Sequence, residues 1–160
     1  MGLDQYLHKN EYVNQYDFSQ EPYSPVKKSN IVIETEYEVG HKKTVAIENV
    51  NGQGGIYIKT PFAYWRKANA VHRWFLEKTG QAEDVCQEIR ISGEQLLELV
   101  EDCRTVLADH SLAEEVLPTQ GGFFFGSTEY DEWYFKDLEK TVEMLKDVDP
   151  EDEFIYQASW

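Results

Sequence analysis

The chain has 160 residues, 41% hydrophobic, 14% aromatic and 28% charged, with a formal net charge of −15. That length suits one domain over residues 1–160, and that apolar content can offset chain entropy, which argues against a disordered chain. The two cysteines, Cys86 and Cys103, stand in no C-x-x-C or Cys/His array, so neither a disulfide scaffold nor a zinc ribbon is expected, and the thiols are read as reduced.

The N-terminus has no basic segment followed by an apolar run, and no stretch approaches the ~20 apolar residues of a membrane span. A cytoplasmic protein with no membrane association is therefore expected. Residues 1–80 hold 9 acids and 10 Lys/Arg, whereas residues 81–160 hold 21 acids and 5 Lys/Arg. The acidity belongs to the second half, where it repels nucleic-acid phosphate and can steer the chain toward a basic partner, besides conferring solubility. Direct nucleic-acid binding is not expected.

Residues 10–29, with Pro22 and Pro25, read as a long loop. Over residues 30–40, Ile31, Ile33, Thr35, Tyr37 and Val39 alternate with Val32, Glu34, Glu36 and Glu38, the two-residue period of a half-buried strand with an acidic outer face. Gly40, His41, Lys42 and Lys43 read as a hairpin connection to extended residues 44–50. A glycine-rich turn at 51–55 precedes a short strand at 56–58. From about 63 to 78 the spacing of Tyr64, Ala68, Val71 and Phe75 predicts a first helix, stopped by Gly80.

Residues 88–91 read as extended. Ser92 with Gln95 three residues on predicts a capping box, and Leu96, Leu99, Val100, Cys103 and Leu107 form the buried stripe of a second helix. Residues 117–122 form a Pro/Gly loop, followed by Phe123, Phe124 and Phe125. A third helix is predicted from Ser127 or Thr128, with Glu129, Asp131 and Glu132 in its first turn against the helix dipole and Phe135, Leu138, Val142 and Leu145 as its apolar line. At the C-terminus Phe154, Tyr156, Ala158 and Trp160 alternate as a last strand. Strands and helices are mostly segregated, which predicts an α+β fold: a mainly antiparallel sheet with about three α-helices packed on it.

Three segments carry a resemblance: residues 1–7 (MGLDQYL), residues 64–75 (YWRKANAVHRWF) and residues 117–135 (LPT, then GGFFFGSTEYDEWYF), with the closing YQASW at 156–160. They resemble a group of small proteins encoded by bacteriophages and prophages, across nearly the whole chain. The resemblance implies a protein made inside a bacterial host cell during infection or lysogeny. It assigns no catalytic residue.

Arg66, Asn69 and Arg73 fall at steps of three and four, which on a helix puts two guanidiniums and an amide on one stripe, with His72 beside them and Trp65 and Trp74 flanking. Such a stripe can grip a phosphate or carboxylate, and the indoles offer stacking planes. The competing reading pairs both arginines with the acidic second half and makes the aromatics core. The run from Gly121 through Gly126 to Thr128 has the spacing of a phosphate-binding loop. Yet Ser127 stands where its lysine must be and acids follow, so an NTPase is rejected.

Glu129, Asp131 and Glu132 beside Tyr130 and Tyr134 offer general acid/base groups, or ligands for a hard cation, if the fold brings them to His72. His8, His41, His72 and His110 show no metal-ligand spacing, and no metal or cofactor is expected. Trp65, Trp74, Phe123, Phe124, Phe125, Trp133, Tyr134 and Phe135 are expected to converge, the 121–126 loop folding across the first helix. The candidate binding residues are thus Trp65, Arg66, Asn69, His72, Arg73, Glu129 and Asp131. The leading expectation is a phage accessory protein acting by binding, without catalysis. Its partner would be a basic host or defence protein met through the acidic half, or a small anionic ligand. The alternatives are an enzyme on a nucleotide or related small metabolite using His72 with Glu129 or Asp131, and an acidic DNA mimic. Oligomeric state is not legible.

Overall fold

The structure, a computed structural model, describes the backbone of residues 2–13, 16–17, 24–25, 30–38, 41–48 and 56–160, and side chains at 2–12 and 57–160. In chain order the strands are β1 (Asp4–Val13), β2 (Tyr16–Asp17), β3 (Ser24–Pro25), β4 (Asn30–Glu38), β5 (His41–Glu48) and β6 (Ile56–Arg66). There follow α1 (Asn69–Lys78), β7 (Ile89–Ser92), α2 (Gly93–Ala108), a 3-10 turn at His110–Leu112, α3 (Ala113–Val116), α4 (Glu132–Leu145) and β8 (Glu153–Ser159). The chain divides into two compact units, Met1–Glu11 with Lys59–Trp160, and Tyr12–Ile58.

The larger unit is built on a four-stranded antiparallel sheet in the order β6-β1-β8-β7. Its C-terminal strand is central: Gln5 pairs with Ala158 and Leu7 with Tyr156 on one side, Ile89 with Tyr156 and Ile91 with Phe154 on the other. Phe154, Ile155, Tyr156 and Ala158 of this strand are all buried. Leu3 and Leu7 from the N-terminus join Val71 and Phe75 of α1, Leu96, Leu99, Val100 and Cys103 of α2, and Leu138 and Leu145 of α4 in one core. Burial drives the Cys103 thiol up to about 12, so that thiol is inert. The fold is α+β as predicted, with four α-helices rather than about three, because the short α3 was not visible in the hydrophobic period.

The local signals of α2 are realised in full. Ser92 Oγ accepts the Gln95 N–H at 3.2 Å, and Gln95 Oε1 accepts the Ser92 N–H at 3.1 Å. In the smaller unit β4 and β5 form the predicted hairpin, Asn30 opposite Glu48 and Glu38 opposite His41, so His41, Lys42 and Lys43 belong to a strand rather than to the connection. The acidic face expected for β4 lies outside the described side chains.

Four further expectations are corrected. The first helix starts at Asn69, not near Ala63; Tyr64, Trp65 and Arg66 close β6. A Tyr64-to-Ala68 step fits a two-residue period as well as a helical one, and pairing with β1 decides between them. The last long helix starts at Glu132 rather than at Ser127 or Thr128. There the Asp131 carboxylate caps it, accepting the Trp133 and Tyr134 N–H groups at 2.9 and 3.1 Å. Part of the segment read as a loop from residue 10 is the end of β1. Finally, the aromatic convergence is partial. Trp65, Trp74, Phe125 and Tyr134 are buried, but Phe123 is 96% and Trp133 72% exposed.

Candidate functional site

Strand β6 ends because Lys67 turns out of it at φ 60, a left-handed conformation that costs a non-glycine residue about 1–2 kcal/mol. Its N–H is held by the Leu3 carbonyl at 2.7 Å, and its carbonyl receives the Asn69 N–H at 2.9 Å. The turn sets Arg66 and Lys67 at the mouth of α1. Gly2 lies beneath them, where a Cβ would meet Lys67 Cε at 3.4 Å and Arg66 Nη2 at 3.8 Å. Gly126, at φ +88, packs its Cα side against Lys67, where a Cβ would stand 3.3 Å from Lys67 Cβ.

Asn69 fastens the 117–127 loop to this corner. Its Nδ2 donates to the Phe125 carbonyl at 3.1 Å and the Ser127 carbonyl at 2.8 Å, and its Oδ1 accepts the Gln120 N–H at 3.1 Å. The side chain is 5% exposed and its hydrogen-bonding capacity goes into the loop backbone, so Asn69 shapes the site and has little left to offer a ligand.

Between this corner, the loop and the start of α4 lies a cavity of about 440 Å³. It is lined by Arg66, Lys67, Asn69, Thr119, Ser127, Glu129, Asp131, Trp133, Tyr134 and Asp137, among others. Several of its polar groups are spent on the protein. Asp131 caps α4, Ser127 Oγ accepts the Glu129 N–H at 3.1 Å, Thr119 Oγ1 donates to the Thr128 carbonyl at 3.0 Å, and Tyr134 Oη donates to the Leu117 carbonyl at 2.8 Å. Among the described residues, neither Arg66 nor Lys67 makes an ion pair, and no side-chain hydrogen bond reaches the Asp137 carboxyl. Burial pushes Asp137 up to about 6, with Asp131 adding to the rise and Lys140 opposing it.

No match to this chain is found among protein families, curated proteins or solved structures. The reading of the cleft therefore rests on its own chemistry.

Of the sequence candidates, Arg66, Asn69, Glu129 and Asp131 come together around the cavity. Trp65 is fully buried in the core, its Nε1–H donating to Thr141 Oγ1 at 2.8 Å. Arg73 pairs with Glu77 at 2.6 Å and donates to the Thr119 carbonyl at 3.2 Å; neither it nor His72 lines the cavity. The one-stripe argument linked Arg66 to Arg73, and it lapses because Arg66 is on a strand. Lys67, Trp133 and Asp137 were not among the candidates. Asp137 had a signal: it lies three residues after Tyr134 and one before Leu138, an acid on the inward side of a helix.

His72 is 1% exposed and sits in a buried polar chain behind the cavity. Gln5 Nε2 donates to the Ala68 carbonyl at 3.2 Å, so its Oε1 is left to accept the Tyr156 hydroxyl at 3.0 Å. The Tyr156 oxygen lies 2.7 Å from His72 Nδ1, and His72 Nε2 lies 2.8 Å from Asp84 Oδ2. Both ring nitrogens are thus engaged within the protein. Burial raises Tyr156 well above the ordinary tyrosine range, which keeps its hydroxyl protonated for this role.

Proposed function

We propose that this protein acts by binding, and that the cleft at the β6–α1 corner takes a small anionic ligand. One observation carries the reading: Arg66 and Lys67, adjacent cations on a ligand-sized cavity, have no ion pair among the described residues. Elsewhere in this acid-rich chain Lys59, Arg73, Lys78 and Lys136 are each paired with a glutamate. Cations left free in a surplus of carboxylates, one of them at a strained φ of 60, support a role outside the fold. The resemblance to phage-encoded proteins makes this an accessory activity in the cytoplasm of an infected bacterium.

A second reading, an enzyme acting on the same ligand, has one observation in its favour: a carboxyl raised to about 6 in the cavity suits general acid/base catalysis. The group is Asp137 rather than His72.

The test is titration with inorganic phosphate followed by amide NMR. Shifts confined to residues 66–71 and 126–137, and weakened at least fivefold in Arg66→Ala, are expected. Since Arg66 has no partner in the fold, that variant should melt as the parent does. Saturable shifts that ignore Arg66→Ala, or no saturable shifts, would remove the reading.

A further inference from the structure

The cavity is not a simple anion trap. Arg66 and Lys67 share it with Glu129, Asp131 and Asp137, so a bare anion entering it meets repulsion as well as attraction. Asp131 is already committed as the α4 cap. Among the charged residues that line the cavity, those with no ion pair or side-chain hydrogen bond are Arg66 and Lys67 at the strand end, Glu129 on the loop, and Asp137 on the helix.

The cation that acts on Asp137 is Lys140 of its own helix, and it does not overcome burial. Arg66 and Lys67, although in the same cavity, do not make an ion pair with Asp137 within 4.0 Å. Positive and negative groups therefore line one cavity without pairing with each other. Two adjacent cations match the charge of a phosphomonoester dianion, of which a guanidinium can take two oxygens. A half-buried, unpartnered carboxyl matches a hydrogen-bond donor of positive charge.

We propose that the ligand of this cleft is a small zwitterion, a phosphomonoester that also carries a primary ammonium, with the phosphate on Arg66 and Lys67 and the ammonium on Asp137. This rests on the anion-binding reading above and adds the ligand's second charge. Such a molecule compensates both signs of charge in the cavity at once, where a phosphate alone leaves Asp137 desolvated and an amine alone leaves the cations unused. Binding also moves a proton. The ammonium favours the carboxylate, so Asp137, partly protonated near pH 6 in the empty cleft, releases protons on binding. The groups around it are Asp131, which caps its helix, Lys140 on that helix, Glu129 on the loop, Arg66 and Lys67 in the same cavity lining, and Tyr134 in the wall.

The experiment compares O-phosphoethanolamine with ethyl phosphate by calorimetry at pH 6, in two buffers of different ionisation enthalpy. Ethyl phosphate carries a phosphomonoester without the amine; because the ammonium lowers the phosphate's own second pKa, proton release is compared for each compound between the parent and Asp137→Asn, where the phosphate's contribution cancels. The amine is expected to tighten binding by about tenfold or more and to add proton release. In Asp137→Asn that advantage and the added release should vanish while ethyl phosphate binds at least as tightly as to the parent, a repelling carboxyl having been removed. Arg66→Ala should weaken both compounds. If the two compounds bind the parent equally, or the amine's advantage survives Asp137→Asn, the zwitterion proposal fails while phosphate binding through Arg66 stands. If neither compound binds, the anion-binding reading fails with it.

Discussion

Asp137→Asn should make the protein more stable at neutral pH. In the folded chain burial lifts this carboxyl from the ordinary 3.8 to about 6, which is the free-energy cost of ionising it there. A shift of about two units corresponds to ~3 kcal/mol, and its partial access to the cavity discounts this to about 1–2 kcal/mol. The pH window follows from the direction. With the folded pKa raised, the folded state holds more protons than the unfolded state between about 4 and 6, so stability falls as pH rises through that interval. Above it the penalty is complete; below it the penalty is gone. Asparagine has no such titration and keeps a similar shape. Thermal melts followed by circular dichroism at pH 8 should therefore place Asp137→Asn about 2–8 °C above the parent, at ~2–4 °C per kcal/mol for a chain of this size. The gap should narrow toward zero near pH 4. A variant less stable than the parent at pH 8, or a gap indifferent to pH, would refute the account of Asp137 as an unpartnered, desolvated acid. The stability surrendered by the native carboxyl is the pattern of a site kept for a ligand.

Asn69→Ala should cost about 2–4 kcal/mol in urea unfolding and speed amide exchange across residues 120–128, because three loop hydrogen bonds end on that side chain. Unchanged exchange would show that the loop is held some other way. Tyr156→Phe leaves Gln5 Oε1 and His72 Nδ1 without their partner in the core and should cost about 1–3 kcal/mol, read as a lower midpoint at unchanged slope. Gly126→Ala places a methyl at φ +88 beside Lys67 and should lose about 1–3 kcal/mol by the same measurement. Lys67→Gly removes the left-handed strain and one cavity cation together, so it should unfold no earlier than the parent while binding phosphate at least fivefold more weakly. Wild-type affinity there would take Lys67 out of the site.

What the sequence determined by itself is what neighbouring residues decide among themselves. The capping box of Ser92 and Gln95 closes within three residues, and the stripe Leu96, Leu99, Val100 and Cys103 lies on one face of one helix, so the start and the buried face of α2 were legible, although Val106 rather than Leu107 is its last buried residue. The two-residue period of β8 was equally plain, and so was the segregation of strands and helices that marks the fold class. Tertiary structure decided wherever a side chain's partner lies far along the chain. Strand β1 was hidden because Gln5 occupies an inward position. It is buried without penalty only because Tyr156, 151 residues away, donates to it. Trp65 and Arg66 fitted a helical spacing, and it took strand pairing with β1 to place them in β6 and so to bring Arg66 beside Lys67 rather than beside Arg73. Arg66, Asn69, Glu129 and Asp131 could be named in advance as charged or polar residues in distinctive segments. That a cavity opens between them, that Asn69 is consumed by the loop, and that Asp137 completes the wall depend on α1, the 117–127 loop and α4 meeting at one corner, which no local period encodes.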